Sequence, residues 1–391
     1  MPLLKDLLKK IDWLFIVLLF SLLAVNMFIL ASASSNINST DSLYYVKKQL
    51  LWVVIGTIAM IAVASFKYEN YMKLWPFIFF GCAALLVLVL FLPEIESTHR
   101  WIDLKFMNFQ PSEITKLALI ISLSCFFVQN IKRIKSFGVF IVSGILSFIV
   151  FVLILIEPDL GSAMVILAIY LPVLWPSGAS RKWFAILMLI IIMLVGGLYY
   201  ILYQETDAFT HKVTEPIGKI PLSPYQLNRL IIFIDPYIDP LDTGYHMIQS
   251  LVAIGSGGIT GKGYGEGTQV QGNFLPAHHT DFIFAVVGEE FGFWGASGLL
   301  LLYLLLLLRL VWIAFRAKDL LGRLIVMGVV SMLTFQILVN VGMTIGIMPI
   351  TGITLPFLSY GGSSLLLNMI AMGLVLSVSL RKNNIQMFDE I

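Results

Sequence analysis

Five short polar stretches interrupt an otherwise apolar chain, and each holds groups that can move a proton or carry a charge. In Pro111-Ser112-Glu113-Ile114-Thr115-Lys116, Pro111 and Ser112 read as a helix start, which puts Glu113 and Lys116 on one face, three residues apart. They suit either a structural ion pair at a helix N-terminus or a charged group offered to a ligand. In Glu157-Pro158-Asp159-Leu160-Gly161-Ser162, Asp159 suits a helix cap. Two carboxylates facing one cavity would also attract a cation or a basic group. The run Gly255-Ser256-Gly257-Gly258-Ile259-Thr260-Gly261-Lys262-Gly263-Tyr264-Gly265 imitates a phosphate loop but fails its spacing. Ser256 stands where a glycine is required, and Gly263 follows Lys262 where Ser or Thr is required. Backbone amides and Lys262 near a lipid pyrophosphate remain a weaker reading. In Leu275-Pro276-Ala277-His278-His279-Thr280-Asp281-Phe282, a polar cluster meets an apolar helix. Asp281 is expected at the membrane interface, at the mouth of any cavity; the plainer reading makes Thr280 or Asp281 an N-cap. A metal site from His246, His278, His279 and Asp281 is disfavoured, because adjacent histidines rarely both ligate one ion. Glu289 and Glu290 follow, one of them expected to face inward. The fifth stretch, Leu355-Pro356-Phe357-Leu358-Ser359-Tyr360-Gly361-Gly362-Ser363-Ser364, has small residues that allow close helix approach.

The elements that must position these groups are membrane helices. Of 391 residues, 59% are hydrophobic and 12% charged, far fewer charges than a soluble domain carries. Charges at membrane depth are costly, which is why each polar stretch counts as a candidate site. Apolar segments near 12–32, 49–66, 75–92, 112–129, 137–156, 160–176, 183–203, 282–308, 324–347 and 359–380 predict an all-α polytopic protein with about ten spans. The first segment, although it ends in Ala31-Ser32-Ala33, is too long for a signal core and reads as a retained span. With both termini cytoplasmic, sixteen Lys and Arg fall on the inner side and eight on the outer. The whole chain, 1–391, reads as one membrane domain. Its large hydrophilic segment, about 204–281, lies outside between helices 7 and 8 and packs on the bundle through Leu230 to Ile234, Met247, Leu251 and Val252. Cys82 and Cys125 sit inside apolar runs as buried hydrophobes. A net charge of +2 gives no reason to expect nucleic acid.

Phe109-Gln110-Pro111-Ser112-Glu113, Glu157-Pro158-Asp159-Leu160-Gly161, Gly244-Tyr245-His246 with Gln249-Ser250, the glycine run, His279-Thr280-Asp281-Phe282 and Pro356-Phe357-Leu358-Ser359-Tyr360-Gly361-Gly362 together resemble the SEDS proteins, the RodA/FtsW family. The resemblance runs in order from about residue 100 to 380, and the short extensions look more like RodA. It implies a peptidoglycan glycosyltransferase that polymerises lipid II at the outer face of a bacterial cytoplasmic membrane, for elongation or shape. The implied partners are a class B penicillin-binding transpeptidase and membrane proteins of an elongation or division complex. It also implies Asp281 as the catalytic aspartate, the Glu113/Lys116 pair and Asp159, with Arg100, Glu157, Gln249, Ser250, Lys262, His279, Thr280 and Ser363 as substrate-binding candidates. Where the family often has Glu before His-Thr-Asp, this chain has Ala277 and His278. Transfer from a lipid pyrophosphate to a sugar hydroxyl needs a base and positive charge on the leaving group. Partial desolvation would raise the pKa of Asp281 toward the working range. Arg100, Lys116, Lys262 or a divalent cation such as magnesium or manganese would meet the pyrophosphate. Two rivals share the bundle: a lipid II flippase, which needs access from both faces, and a scaffold that recruits a transpeptidase and tolerates loss of Asp281.

Overall fold

The computed structural model describes residues 11–35, 43–93, 100–103, 108–209, 224–240 and 243–381. Helices dominate: α1 (Trp13–Ala33), α2 (Tyr44–Ser65), α3 (Tyr71–Val89), α4 (Pro111–Gln129), α5 (Phe137–Ile156), α6 (Leu160–Leu174), α7 (Arg181–Phe209), α8 (Pro224–Ile234), α9 (Thr243–Gly257), the single turn α10 (Thr268–Gln271), α11 (Ile283–Phe315), α12 (Leu320–Thr344) and α13 (Gly362–Leu380). A two-residue hairpin, β1 (Ile102–Asp103) against β2 (Asn108–Phe109), pairs antiparallel between α3 and α4. Eight of these helices are long and apolar enough to cross a membrane: α1 to α5 and α11 to α13. Of the two other expected spans, α6 has 15 residues and α7 runs for 29. Residues 210–223 and 241–242 of the expected outer loop lie outside the described residues.

The bundle has an inner and an outer layer. Helices α4, α12 and α13 are buried on most faces, whereas α2, α3 and α5 expose most of theirs. The exposed residues include Phe77, Phe80, Phe91 and Phe148. Such a surface is tolerable only against lipid, so the chain is a multi-pass membrane protein. Cys82 and Cys125 are free and buried, as apolar filler would be.

Helix α11 is broken at Gly292 (φ 61°), where the glycine run crosses it. A Cβ on Gly292 would sit 2.3 Å from the Gly261 nitrogen, and one on Gly261 would sit 2.1 Å from the Glu290 carbonyl oxygen, so only glycine lets these backbones touch. Lys262 and Gly263 then donate their backbone N–H groups to the carbonyls of Glu289 and Glu290, both at 3.0 Å. These amides are committed to holding the break, so they do not form the anion cradle that the weaker reading required.

Candidate active site

A cavity of about 1090 Å³ opens at one end of the bundle, where α2, α4, α6, α11 and α13 begin. Six of the expected residues lie in its wall: Glu113, Asp159, Thr280, Asp281 and Ser363 at or beside helix starts, and Arg100 just before the hairpin. Lys48, Trp52, Trp101, Gln110, Arg229 and Tyr360 join them.

Asp281 reaches the cavity because three successive carbonyls before α11 are pinned from elsewhere. The Tyr360 N–H donates to His279 O at 3.0 Å, Ser359 Oγ to Thr280 O at 2.6 Å, and Asn340 Nδ2 to Asp281 O at 2.8 Å. Asn340 spends its second amide hydrogen on Ile353 O at 2.8 Å, which ties the same point to the loop before α13. The Pro356–Gly362 stretch therefore works as a brace for the 279–281 segment. The cap reading fails for Thr280 and Asp281. Phe282 holds the N-cap position without a side-chain cap bond, and Thr280 Oγ1 donates to Ala277 O at 3.2 Å. Opposite, a Cβ on Gly352 would lie 3.4 Å from Arg229 Nη1 and 3.6 Å from Asp281 Oδ2, so a guanidinium and a carboxylate converge over one glycine.

Asp159 does both things its position allowed. Its Oδ1 accepts from the Ser162 N–H at 2.9 Å and caps α6, while Oδ2 accepts from Gln110 Nε2 at 2.8 Å beside the cavity. Glu157 lies behind it, fully buried, with neither carboxyl oxygen hydrogen-bonded among the described residues. Burial first, then the nearby Asp159 charge, push its pKa up to about 9 against the pull of Arg100, which leaves it protonated at neutral pH. Lys116 is buried beneath Glu113 and reaches it at 2.6 Å, so Glu113 faces the cavity and Lys116 supports it from below.

Other expected residues lie elsewhere. Ser250 Oγ donates to Thr344 O at 2.8 Å, tying α9 to α12, and Gln249 shares that helix outside the cavity wall. Lys262 is held by Glu289 at 2.6 Å and by Thr268 Oγ1 at 2.7 Å, also away from the cavity. Glu289 and Glu290 are both buried, where only one was expected to turn inward. His279 packs between Tyr45 and Tyr360, ring centroids 4.9 and 6.1 Å away. Burial and then His278 push its pKa down to about 4, so it is neutral near pH 7. Two cavity cations escaped the sequence reading, Lys48 and Arg229. Arg229 sits beside an apolar run whose Ile231 and Ile232 are buried, and only the fold of α8 turns it toward Asp281.

Buried atoms without a hydrogen-bond partner among the described residues include Arg100 Nε, Trp101 Nε1 and Ser363 Oγ, all from wall residues. Such groups carry bonding capacity for a ligand. The donor set does not fit a protein-held divalent cation, since no three His, Cys, Asp or Glu side chains converge among the described residues. The histidine alternative fails on particulars: His278 Nδ1 lies 2.6 Å from Leu275 O, and His246 stacks on Phe282. A wall with cations, carboxylates and aromatic rings suits a polar ligand that carries negative charge and ring faces.

The family model described as "Cell cycle protein", covering FtsW, RodA and SpoVE, matches residues 11–384. Stage V sporulation protein E of Bacillus subtilis (strain 168) is 37% identical, over 94% of this chain and 96% of that one. Peptidoglycan glycosyltransferase MrdB of Escherichia coli (strain K12) is 34% identical, over 94% of this chain and 93% of that one. Among solved structures, one described as "Structural coordination of polymerization and crosslinking by a peptidoglycan synthase complex" gives a TM-score of 0.71 at 30% identity, covering 94% of this chain and 97% of that one. The Thermus thermophilus rod shape determining protein RodA gives 0.66 at 29% identity, covering 94% and 96%. With four of its five polar stretches gathered around one cavity of a matching helical bundle, the chain belongs to the SEDS family of FtsW, RodA and SpoVE proteins.

Proposed function

We propose that this chain is a peptidoglycan glycosyltransferase that polymerises lipid II at the outer face of a bacterial cytoplasmic membrane, with both termini cytoplasmic and residues 204–281 outside. One observation carries the reading: Asp281 and Arg229 converge over Gly352 in a cavity that also holds Arg100, Glu113 and Asp159. In the step, Asp281 takes the proton of the acceptor sugar hydroxyl. The freed oxygen attacks the anomeric carbon of the donor, and the bond from that carbon to the pyrophosphate oxygen breaks. Arg229, Arg100 and Lys48 meet the charge that develops on the leaving polyprenyl pyrophosphate. Glu113, backed by Lys116, and Asp159, oriented by Gln110, position the sugars. The product strand suits a neighbouring class B penicillin-binding transpeptidase. The solved relative described as a peptidoglycan synthase complex supports that partnership.

The test is polymer formed from labelled lipid II by wild type, Asp281→Asn and Asp281→Glu at matched, monodisperse protein levels. Asn keeps the size of the side chain and the pinned backbone but cannot accept the proton, so the rate should fall by roughly a hundredfold or more. Glu should be partly active at best, because the extra methylene misplaces the carboxylate. Lipid II binding should persist in both. Asn retaining more than about a third of the wild-type rate would remove Asp281 as base and favour a scaffold or a flippase.

A further inference from the structure

Helix α5 runs from Phe137 to Ile156, just short of Asp159 in the cavity wall, and α6 runs back from Leu160 to Leu174, so the 174–184 turn lies at the end of the bundle remote from Asp281. There a second cavity of about 490 Å³ opens, lined by Lys135, Leu174, Trp175, Ala179, Arg181 and Phe184, with Gly178 and Ser180 in the turn. Its surroundings are uniformly basic. Residues 130–136 and 174–184 contain Lys132, Arg133, Lys135, Arg181 and Lys182 and no Asp or Glu. Nor does any acidic residue occur between Glu113 and Glu157, or between Asp159 and Glu205. Lys135 and Arg181 are exposed, and neither makes an ion pair among the described residues. Glu69, in the short turn just before α3, is occupied by Lys318 at 4.0 Å, and α3 itself adds Lys73.

The cavity is framed by rings. Trp183 packs on Phe137 and Phe140, centroids 4.5 and 6.0 Å away, and Trp175 meets Phe184 edge-on at 5.0 Å. Tryptophan beside a lysine and arginine cluster is the composition of a lipid–water boundary. Beyond the rings, Ile141, Ile145 and Phe148 on α5 and Leu189 and Ile190 on α7 are exposed and lead along the bundle away from the cavity. Two fixed cations therefore face a hollow large enough for a headgroup, and apolar strips lead from its rim. The first N–H groups of α7, at Arg181 and Lys182, have no acceptor within the helix and add positive potential.

We propose that this cavity binds the phosphodiester of an anionic diacyl phospholipid, with Lys135 and Arg181 on the phosphate and the acyl chains along the exposed strips of α5 and α7. A zwitterionic headgroup brings an ammonium into a region that already holds five uncompensated cations, so it is disfavoured.

The experiment is native mass spectrometry of the full chain in detergent with added phosphatidylglycerol or phosphatidylcholine of equal chain length. Phosphatidylglycerol should be retained at least tenfold more tightly. Lys135→Gln with Arg181→Gln should lower that retention at least tenfold. Lys132→Gln with Lys182→Gln removes the same charge outside the cavity wall and should lower it at most threefold. Ala179→Trp fills the hollow without changing charge and should match the first pair; it decides the matter if the double variant does not insert. Equal retention of both lipids, or equal loss in the two charge pairs, would leave only diffuse surface attraction and overturn the site. Complete displacement of phosphatidylglycerol by millimolar inorganic phosphate would assign the cavity to a soluble anion and overturn the lipid.

Discussion

Two lysine–glutamate pairs are built into this bundle with the same 2.6 Å contact, and they do opposite things. In Glu113–Lys116 the lysine is buried, its side chain 2% exposed, while the glutamate borders the large cavity. In Lys262–Glu289 the glutamate side chain is fully buried and the lysine 23% exposed. Glu289 is also saturated: it accepts from Thr268 Oγ1 at 3.2 Å and from the N–H groups of Gln269 and Val270 at 2.9 and 3.2 Å. Among the described residues Glu113 accepts from a single side-chain donor, Lys116, and keeps an open face toward the cavity. The chemical pair is the same; spare bonding capacity beside a cavity separates a group that can serve a ligand from one that holds a loop to a helix.

The comparison is broken most directly at Lys116. Lys116→Met strands Glu113 and should cost about 3–5 kcal/mol of stability, with polymer synthesis down by roughly a hundredfold. Glu113→Gln with Lys116→Met should recover most of the stability, read as melting temperature, and remain inactive. Near-normal synthesis by that double variant would make the pair structural, like its counterpart. Next is Glu289→Gln, which puts an amide among three donors and loses the ion pair. It should cost about 2–4 kcal/mol, with activity falling only as the folded fraction falls. Lys262→Gln is expected to be milder, under about 1 kcal/mol, because the ammonium is partly solvated. Activity should stay within threefold, and a larger loss at unchanged melting temperature would return Lys262 to the substrate.

Glu157 is the sharpest control, a buried carboxyl that no cation hydrogen-bonds among the described residues. Its folded pKa near 9 exceeds the ordinary 4.5, so its contribution to stability is full below pH 4.5 and is lost as pH rises toward 9. Glu157→Gln removes that loss. The variant should melt progressively higher than wild type between pH 5 and pH 9, and a constant difference would show that Glu157 is ionised in the folded chain.

Membrane helices, their approximate bounds and the polar stretches between them were legible because each depends on a local run of residue types. Asp281 stood out for the same reason, as a carboxylate where a polar cluster meets an apolar helix. Arg229 did not, since its place beside Asp281 depends on α8, α11 and the Gly352 loop meeting across long sequence separations. Lys262 misled in the other direction. A lysine in a glycine run looks like an anion site until the partner that consumes it, Glu289, is seen 27 residues away.

From the sequence alone, hydropathy determined that the chain lives in lipid, and short motifs determined its family, because both are properties of neighbouring residues. Tertiary structure alone decided which charges are spent and which are available. Whether a buried lysine or glutamate still has room for a ligand depends on every donor and acceptor around it. For Glu289 those partners arrive from the glycine run and α10, which no local pattern connects to α11.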